Sequence, residues 1–164
     1  MPHLGGGPAR EIWHGVADRI APLGWHLSIH CNGESLLTLA DDLAGMALPV
    51  VIDHMGRIDA TAPDSDPARR ALFELAALPH VWVKVSGADR VAPPEARDAA
   101  VSLAAELCAI SPDRTLWGTD WPHPNSVWAM PEDDDLVALL PRIAQGAALA
   151  KLIVSNPERL YGWD

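Results

Sequence analysis

Strict alternation of strand-like and helix-like segments constrains this chain more than any other feature of its sequence. WHLSIH (25–30), LPVVIDH (48–54), VWVKVS (81–86) and RTLWGT (114–119) read as strands. Between them lie helical patterns: PAREIWHGVADRI, which places Pro8 at a helix start behind three glycines, and ESLLTLADDLAG, which closes on Gly45. DPARRALFELAAL follows with Asp66 as its cap, then PPEARDAAVSLAAELCA with Pro93 and Pro94 in its first turn. A helix around DLVALLPRIAQG, broken near Pro141, and a short one around AALAKLIV complete the series. Strand ends at His30, His54, Ser86 and Asp120 are 24, 32 and 34 residues apart, each the size of one strand–helix unit. Such alternation predicts right-handed crossovers and a parallel sheet covered by helices.

Side-chain parity sharpens the fold class. In 25–30, Trp25, Leu27 and Ile29 share one face while His26, Ser28 and His30 share the other; in 81–86, Val81, Val83 and Val85 oppose Trp82, Lys84 and Ser86. A doubly wound sheet is apolar on both faces, whereas a barrel with a polar interior leads to a site at the C-terminal ends of its strands. The expected fold is therefore α/β, a helix-covered parallel barrel sheet in one continuous domain.

Composition limits the partners. A formal net charge of −10 argues against a nucleic-acid or anionic-membrane surface, since both need a basic footprint. The longest apolar stretches, such as MALPVVI at 46–52, fall far short of the roughly 20 residues of a membrane helix. No charged and then apolar leader pattern opens the chain, and Cys31 and Cys108 read as free thiols, so a cytoplasmic location is expected.

The strand ends hold the candidate chemistry. His54 closes VVIDH; a lone strand-end histidine is more often a structural hydrogen-bonding group than a catalyst. Asp53, of opposite parity, is expected to face the helices, and Arg57 to sit above the barrel mouth, binding a carboxylate or simply solvated. Lys84 inside an apolar strand must be paired; a structural ion pair is favoured over a Schiff base or carbamylated ligand. Arg90 repeats the position of Arg57, and the two arginines over neighbouring strand ends would hold a dianion. Asp120, in LWGTDWPHP, ends the last strand on the face of Leu116 and Gly118, although an aspartate opening a proline turn needs no chemistry. His123 follows in the same loop, and Cys31 beside His30 reads as a packing residue. A divalent metal would need three or more ligands, some of which His30, His54 and Asp120 would supply, but no His-x-His or His-Glu-x-x-His pair is present.

HLGGGP (3–8), the stretch from Ala17 through DRIAPLGWHLSIH, PVVIDHMGR (49–57), VWVKVSGADR (81–90), DRTLWGTDWPHPN (113–125) and NPERLYGWD (156–164) together resemble the amidohydrolase-related family, and within it the 2-pyrone-4,6-dicarboxylate lactonases. The resemblance spans essentially the whole chain. It implies an α/β fold of the (β/α)8 TIM-barrel type, incomplete, with about the last four βα units present and residues 1–164 as the C-terminal portion of a single barrel domain. In that barrel Asp120 would be the general base that activates water, and His54 would help polarise the lactone carbonyl. It also implies that Arg57 and Arg90 bind substrate carboxylates, and that His3 and His30 line the pocket, with His123 grouped among the substrate-binding candidates. The lactonases it points to work without a metal.

A barrel of this type takes about 250 residues, and the family's His-x-His pair and a fourth-strand arginine are not matched in these 164 residues. The expectation is a truncated product, a mis-assigned start, or a fragment needing a partner half. Such a chain is expected to be unstable or to self-associate through exposed barrel edges, and to have little activity alone. The leading activity is opening of a cyclic ester of a dicarboxylate, a small-molecule substrate, with no cofactor. The alternatives are a sugar-lactone hydrolase, a metal-dependent decarboxylase of the same fold, and an inactive barrel fragment.

Overall fold

The computed structural model describes residues 9–124, 128 and 131–163. Four parallel strands, β1 (Leu27–Ile29), β2 (Val50–Ile52), β3 (Val81–Lys84) and β4 (Thr115–Leu116), lie side by side in sequence order. They are linked through α1 (Arg10–Ile20) before β1, α2 (Gly33–Ala44), α3 (Pro67–Ala77), and the pair α4 (Ala88–Val91) and α5 (Arg97–Ile110). Four short helices follow β4: α6 (Asp133–Val137), α7 (Leu140–Ile143), α8 (Gly146–Ala150) and α9 (Asn156–Tyr161), the last two joined by a wide turn over Lys151–Ser155.

Local sequence sets these boundaries. Asn32 Oδ1 accepts from the Ser35 amide at the start of α2, and Asp66 Oδ1 accepts from the amides of Ala68 and Arg69 at the start of α3. Pro94 opens a tight turn over Pro94–Ala96 and α5 begins only at Arg97, later than the two prolines suggest. The expected 135–146 helix divides before Leu140. NPERLY forms a helix that the sequence pattern did not separate from its loop. Every strand is shorter than the run read from sequence, and β2 ends where His54 turns to positive φ.

The register is in step across the sheet, pairing Ser28 with Val51 and Val51 with Trp82, and Ile29 with Ile52, Ile52 with Val83 and Val83 with Thr115. One face carries Val50, Ile52, Val81, Val83 and Val85, packed into a core with Leu36, Leu43, Leu72, Leu103, Leu107 and Leu152 from the helices. Each fully buried leucine there contributes roughly 1.5–3 kcal/mol by leaving water. The opposite face carries a small cluster of Val51, Trp82 and Leu116, with Leu160 of α9 against it. Strands in sequence order with their helices on one face form an arc of a barrel; a doubly wound sheet would reverse order and take helices on both sides.

Asp53 departs from expectation. It lies on the inner face, where Lys84 Nζ is 2.6 Å from Oδ1 and Ser28 Oγ donates to Oδ2 at 3.0 Å. Parity does place Asp53 with Val51, and it is His54 that breaks the alternation by turning to φ 50. Lys84 is thus paired inside the arc, as a charge in an apolar strand requires. Trp25, read as part of an oily strand face, precedes the strand and is 61% exposed.

The C-terminal helix closes the end of the arc opposite the site. Asn156 Nδ2 donates to the carbonyls of Pro112 and Thr115, the Arg159 guanidinium lies 5.0 Å from the Trp82 ring, and Tyr161 meets His26 edge-on at 5.4 Å. Among the described residues no helix is long and apolar enough to cross a membrane, and no strand pairs with the outer edge of β1 or β4.

Candidate active site

The C-terminal ends of the strands converge through unusual backbone. Among the described residues, the non-glycine residues with positive φ are His54 (50°), Met55 (51°), Arg57 (47°), Asp120 (67°) and His123 (53°). Each such conformation costs on the order of 1–3 kcal/mol and persists only where the surroundings enforce it. All five follow β2 or β4, so the strain is concentrated where side chains are turned toward the mouth. A continuing strand would have sent His54 into the helix layer; the left-handed turn at 54–57 brings it over the sheet instead.

His54 is buried, with Nδ1 2.9 Å from Ser86 Oγ and Nε2 3.4 Å from Asp120 Oδ1. Burial pushes its pKa below the ordinary histidine value, against the opposing pull of the Asp120 carboxylate. Asp120 Oδ2 accepts from both Arg90 Nε (3.1 Å) and Nη2 (2.7 Å). Arg90 itself is almost wholly buried, its Nε also 3.5 Å from Asp89 Oδ2. Gly87, at φ 67, makes this packing possible: a Cβ there would lie 2.8 Å from Arg90 Cγ and 3.0 Å from His54 Nδ1.

His30 stands beside this group, its ring 5.3 Å from that of His54 and nearly perpendicular to it. Its Nε2 is 3.3 Å from Arg57 Nη1. A guanidinium has only N–H groups to offer, so His30 Nε2 is the acceptor. Among the described residues no carboxylate pairs with Arg57, and its buried Nε has no hydrogen-bond partner. Arg57 and Arg90 both line one open pocket of about 400 Å³, with Thr61, Pro93 and Trp128 on its wall.

The structure thus gathers Asp120, His54, His30, Arg57 and Arg90. His123 is turned elsewhere: it is buried, with Nε2 3.2 Å from Asp133 Oδ1 at the start of α6. His3 lies outside the described residues. Cys31 is buried, and its thiol is pushed up to about 11 by that burial and by Asp53, as suits a packing residue. Two members of the arrangement were not singled out from sequence, Ser86 as the partner of His54 and Gly87 as the space between His54 and Arg90. Ser86 carried a signal, since it closes the run VWVKVS on the polar parity. Among the described residues no group of three or more His, Cys, Asp or Glu side chains is arranged to hold a metal ion.

A sequential parallel arc with a carboxylate, an imidazole and two guanidiniums over its strand ends is the architecture of a barrel enzyme. The amidohydrolase family model matches residues 1–163, and the chain belongs to that family. It is 38% identical over 164 residues to the 4-sulfomuconolactone hydrolase of Rhizobium radiobacter, covering 98% of this chain and 55% of the relative. It is 43% identical over 158 residues to the 2-pyrone-4,6-dicarboxylate hydrolase of Comamonas testosteroni, covering 89% and 52%. A Pseudomonas putida crystal structure provisionally named a 2-pyrone-4,6-dicarboxylic acid hydrolase superposes with a TM-score of 0.81 at 30% identity, over 93% of this chain and 57% of that one. The chain therefore spans about half the length of the curated relatives it matches.

Proposed function

We propose that this chain carries the base, the polarising group and the anion-binding cations of a hydrolase that opens an anionic lactone of the 2-pyrone-4,6-dicarboxylate type. The observation that carries the reading is the division of labour at Asp120: Arg90 holds Oδ2 with two hydrogen bonds, while Oδ1 faces His54. Relatives named for hydrolysis of a sulfonated and a dicarboxylated lactone support an anionic substrate.

In this reading Asp120 Oδ1 removes a proton from water as the oxygen adds to the lactone carbonyl carbon. His54 donates from Nε2 to the carbonyl oxygen, on which negative charge builds. The ring C–O bond then breaks, and the proton held by Asp120 passes to the departing oxygen. Water and lactone are consumed and one hydroxy (or enol) carboxylate is formed. Arg57, with no carboxylate partner among the described residues, takes a substrate anion, and Arg90, lining the same pocket, offers a second cation.

No metal is needed for these steps. A small-molecule substrate, a cytoplasmic setting suited to free Cys31 and Cys108, and self-association through the open edges of β1 and β4 complete the proposal. The test is hydrolysis of 2-pyrone-4,6-dicarboxylate against a neutral sugar lactone, with and without a chelator, by a version extended to the full length of its relatives. Opening of the dicarboxylate alone, unaffected by the chelator, is the expected result. Preference for the neutral lactone, or loss of activity with the chelator, would favour the sugar-lactone or metal-dependent reading.

A further inference from the structure

We infer that Ser86 is a positioning residue that fixes His54 as the neutral tautomer protonated at Nε2, the form able to donate a hydrogen bond to a lactone carbonyl. Its consequence for catalysis rests on the hydrolase reading; the tautomer assignment does not.

The argument begins with hydrogen-bond bookkeeping. Ser86, two residues past β3, is 2% exposed, and among the described residues its hydroxyl lies within hydrogen-bonding distance only of His54 Nδ1, at 2.9 Å. If Nδ1 carried the proton, the serine oxygen would accept it and the buried hydroxyl hydrogen would have no acceptor. Such an orphan costs about 1–3 kcal/mol. With the proton on Nε2, Ser86 donates to the Nδ1 lone pair and both groups are satisfied.

The other side of the ring gives the same answer independently. Nε2 lies 3.4 Å from Asp120 Oδ1. A carboxylate oxygen has only lone pairs, so it repels a bare Nε2 and favours an N–H there. The separation exceeds an ordinary N–H···O bond. It leaves Nε2–H and Oδ1 able to address two atoms of one reacting centre, the carbonyl oxygen and the attacking water. Gly87 holds the geometry from below, since any Cβ would press on Nδ1 at 3.0 Å. Ser86, His54 and Asp120 therefore form a file in which the serine is a donor, the reverse of its role as a nucleophile.

The experiment is long-range proton–nitrogen NMR on the uniformly ¹⁵N-labelled chain at about pH 8, above the ordinary histidine range, with His54 assigned by its absence in His54→Gln. The proposal expects an unprotonated Nδ1 and a protonated Nε2. Ser86→Ala should then give a mixed or switched tautomer, and Ser86→Thr, which keeps the hydroxyl, should restore the original pattern. In turnover, Ser86→Ala should lower kcat about tenfold, the scale of one lost hydrogen bond, and change KM little. A wild-type ring protonated at Nδ1, or a tautomer unchanged in a Ser86→Ala chain that melts normally, would overturn the proposal. If Ser86→Ala does not fold, the wild-type and Ser86→Thr spectra decide it. Absence of turnover on any lactone in a version extended to the full length of its relatives would overturn the hydrolase reading while leaving the tautomer measurement intact.

Discussion

Arg90 grips one oxygen of Asp120 with two nitrogens, at 3.1 and 2.7 Å, and so leaves the other oxygen directed at His54. The fork geometry sets the carboxylate plane, which a lysine ammonium in the same place cannot do. Arg90→Lys is therefore expected to lower kcat by about ten- to a hundredfold with a smaller change in KM. Initial-rate kinetics on an anionic lactone measure the split. A rise in KM with kcat unchanged would reassign Arg90 to substrate binding alone.

Arg57 has the opposite expectation. No carboxylate among the described residues pairs with it, and it lines the pocket shared with Arg90. Arg57→Met should raise KM for a dicarboxylate about tenfold or more, the worth of one charge-assisted contact. A monocarboxylate analogue should be affected less. Equal losses on both would remove the anion-binding role.

The acid side of the stability profile follows from the two histidines that face the inner sheet. Burial lowers the pKa of His54, and burial together with Lys84 lowers that of His26. In each case the unfolded imidazole binds its proton more readily, so the stability these groups contribute is complete above the unfolded value of 6.5 and declines as pH falls below it. Urea melts at about pH 7.5 and 5.5 should show a loss on acidification that shrinks in His54→Gln. A loss of the same size in that variant would mean His54 is not the group responsible.

How much of this was legible in advance depends on whether the chain kept to a regular period. Alternation set the parallel arc, and parity placed Lys84 and Ser86 on the polar face, because both hold within an extended strand. Parity failed where the strand stopped. His54 and Asp120 reach the mouth through left-handed backbone, a conformation no spacing rule anticipates. Asp53, in turn, kept the inner-face parity that the expectation had denied it. The engagement of Arg90 with Asp120 joins residues 30 apart in sequence and needs α4, four residues long, to aim the guanidinium. His123 was drawn toward the site by proximity to Asp120, yet the adjacent helix start supplied Asp133 as a nearer partner.

The open edge of β1 predicts an association behaviour. Leu27, Ser28 and Ile29 pair on one side with β2, and among the described residues nothing pairs on the other. Unpaired edges invite strand addition, and a lysine on the edge blunts it. Sedimentation at tens of micromolar, a range in which edge pairing is populated, should show self-association that falls in Leu27→Lys. A monodisperse monomer for the unaltered chain would contradict it.

The central claim is that Asp120 is the base that activates water, and turnover of 2-pyrone-4,6-dicarboxylate by a version extended to the full length of its relatives, with and without Asp120→Asn, tests it most directly. The amide preserves shape and an acceptor for Arg90, so the variant should still fold, losing about 1–3 kcal/mol of stability through the lost charge. Its kcat should fall by about a thousandfold, within the reach of general-base catalysis. A folded Asp120→Asn chain that opens the lactone at a rate near that of the unaltered one would contradict the account.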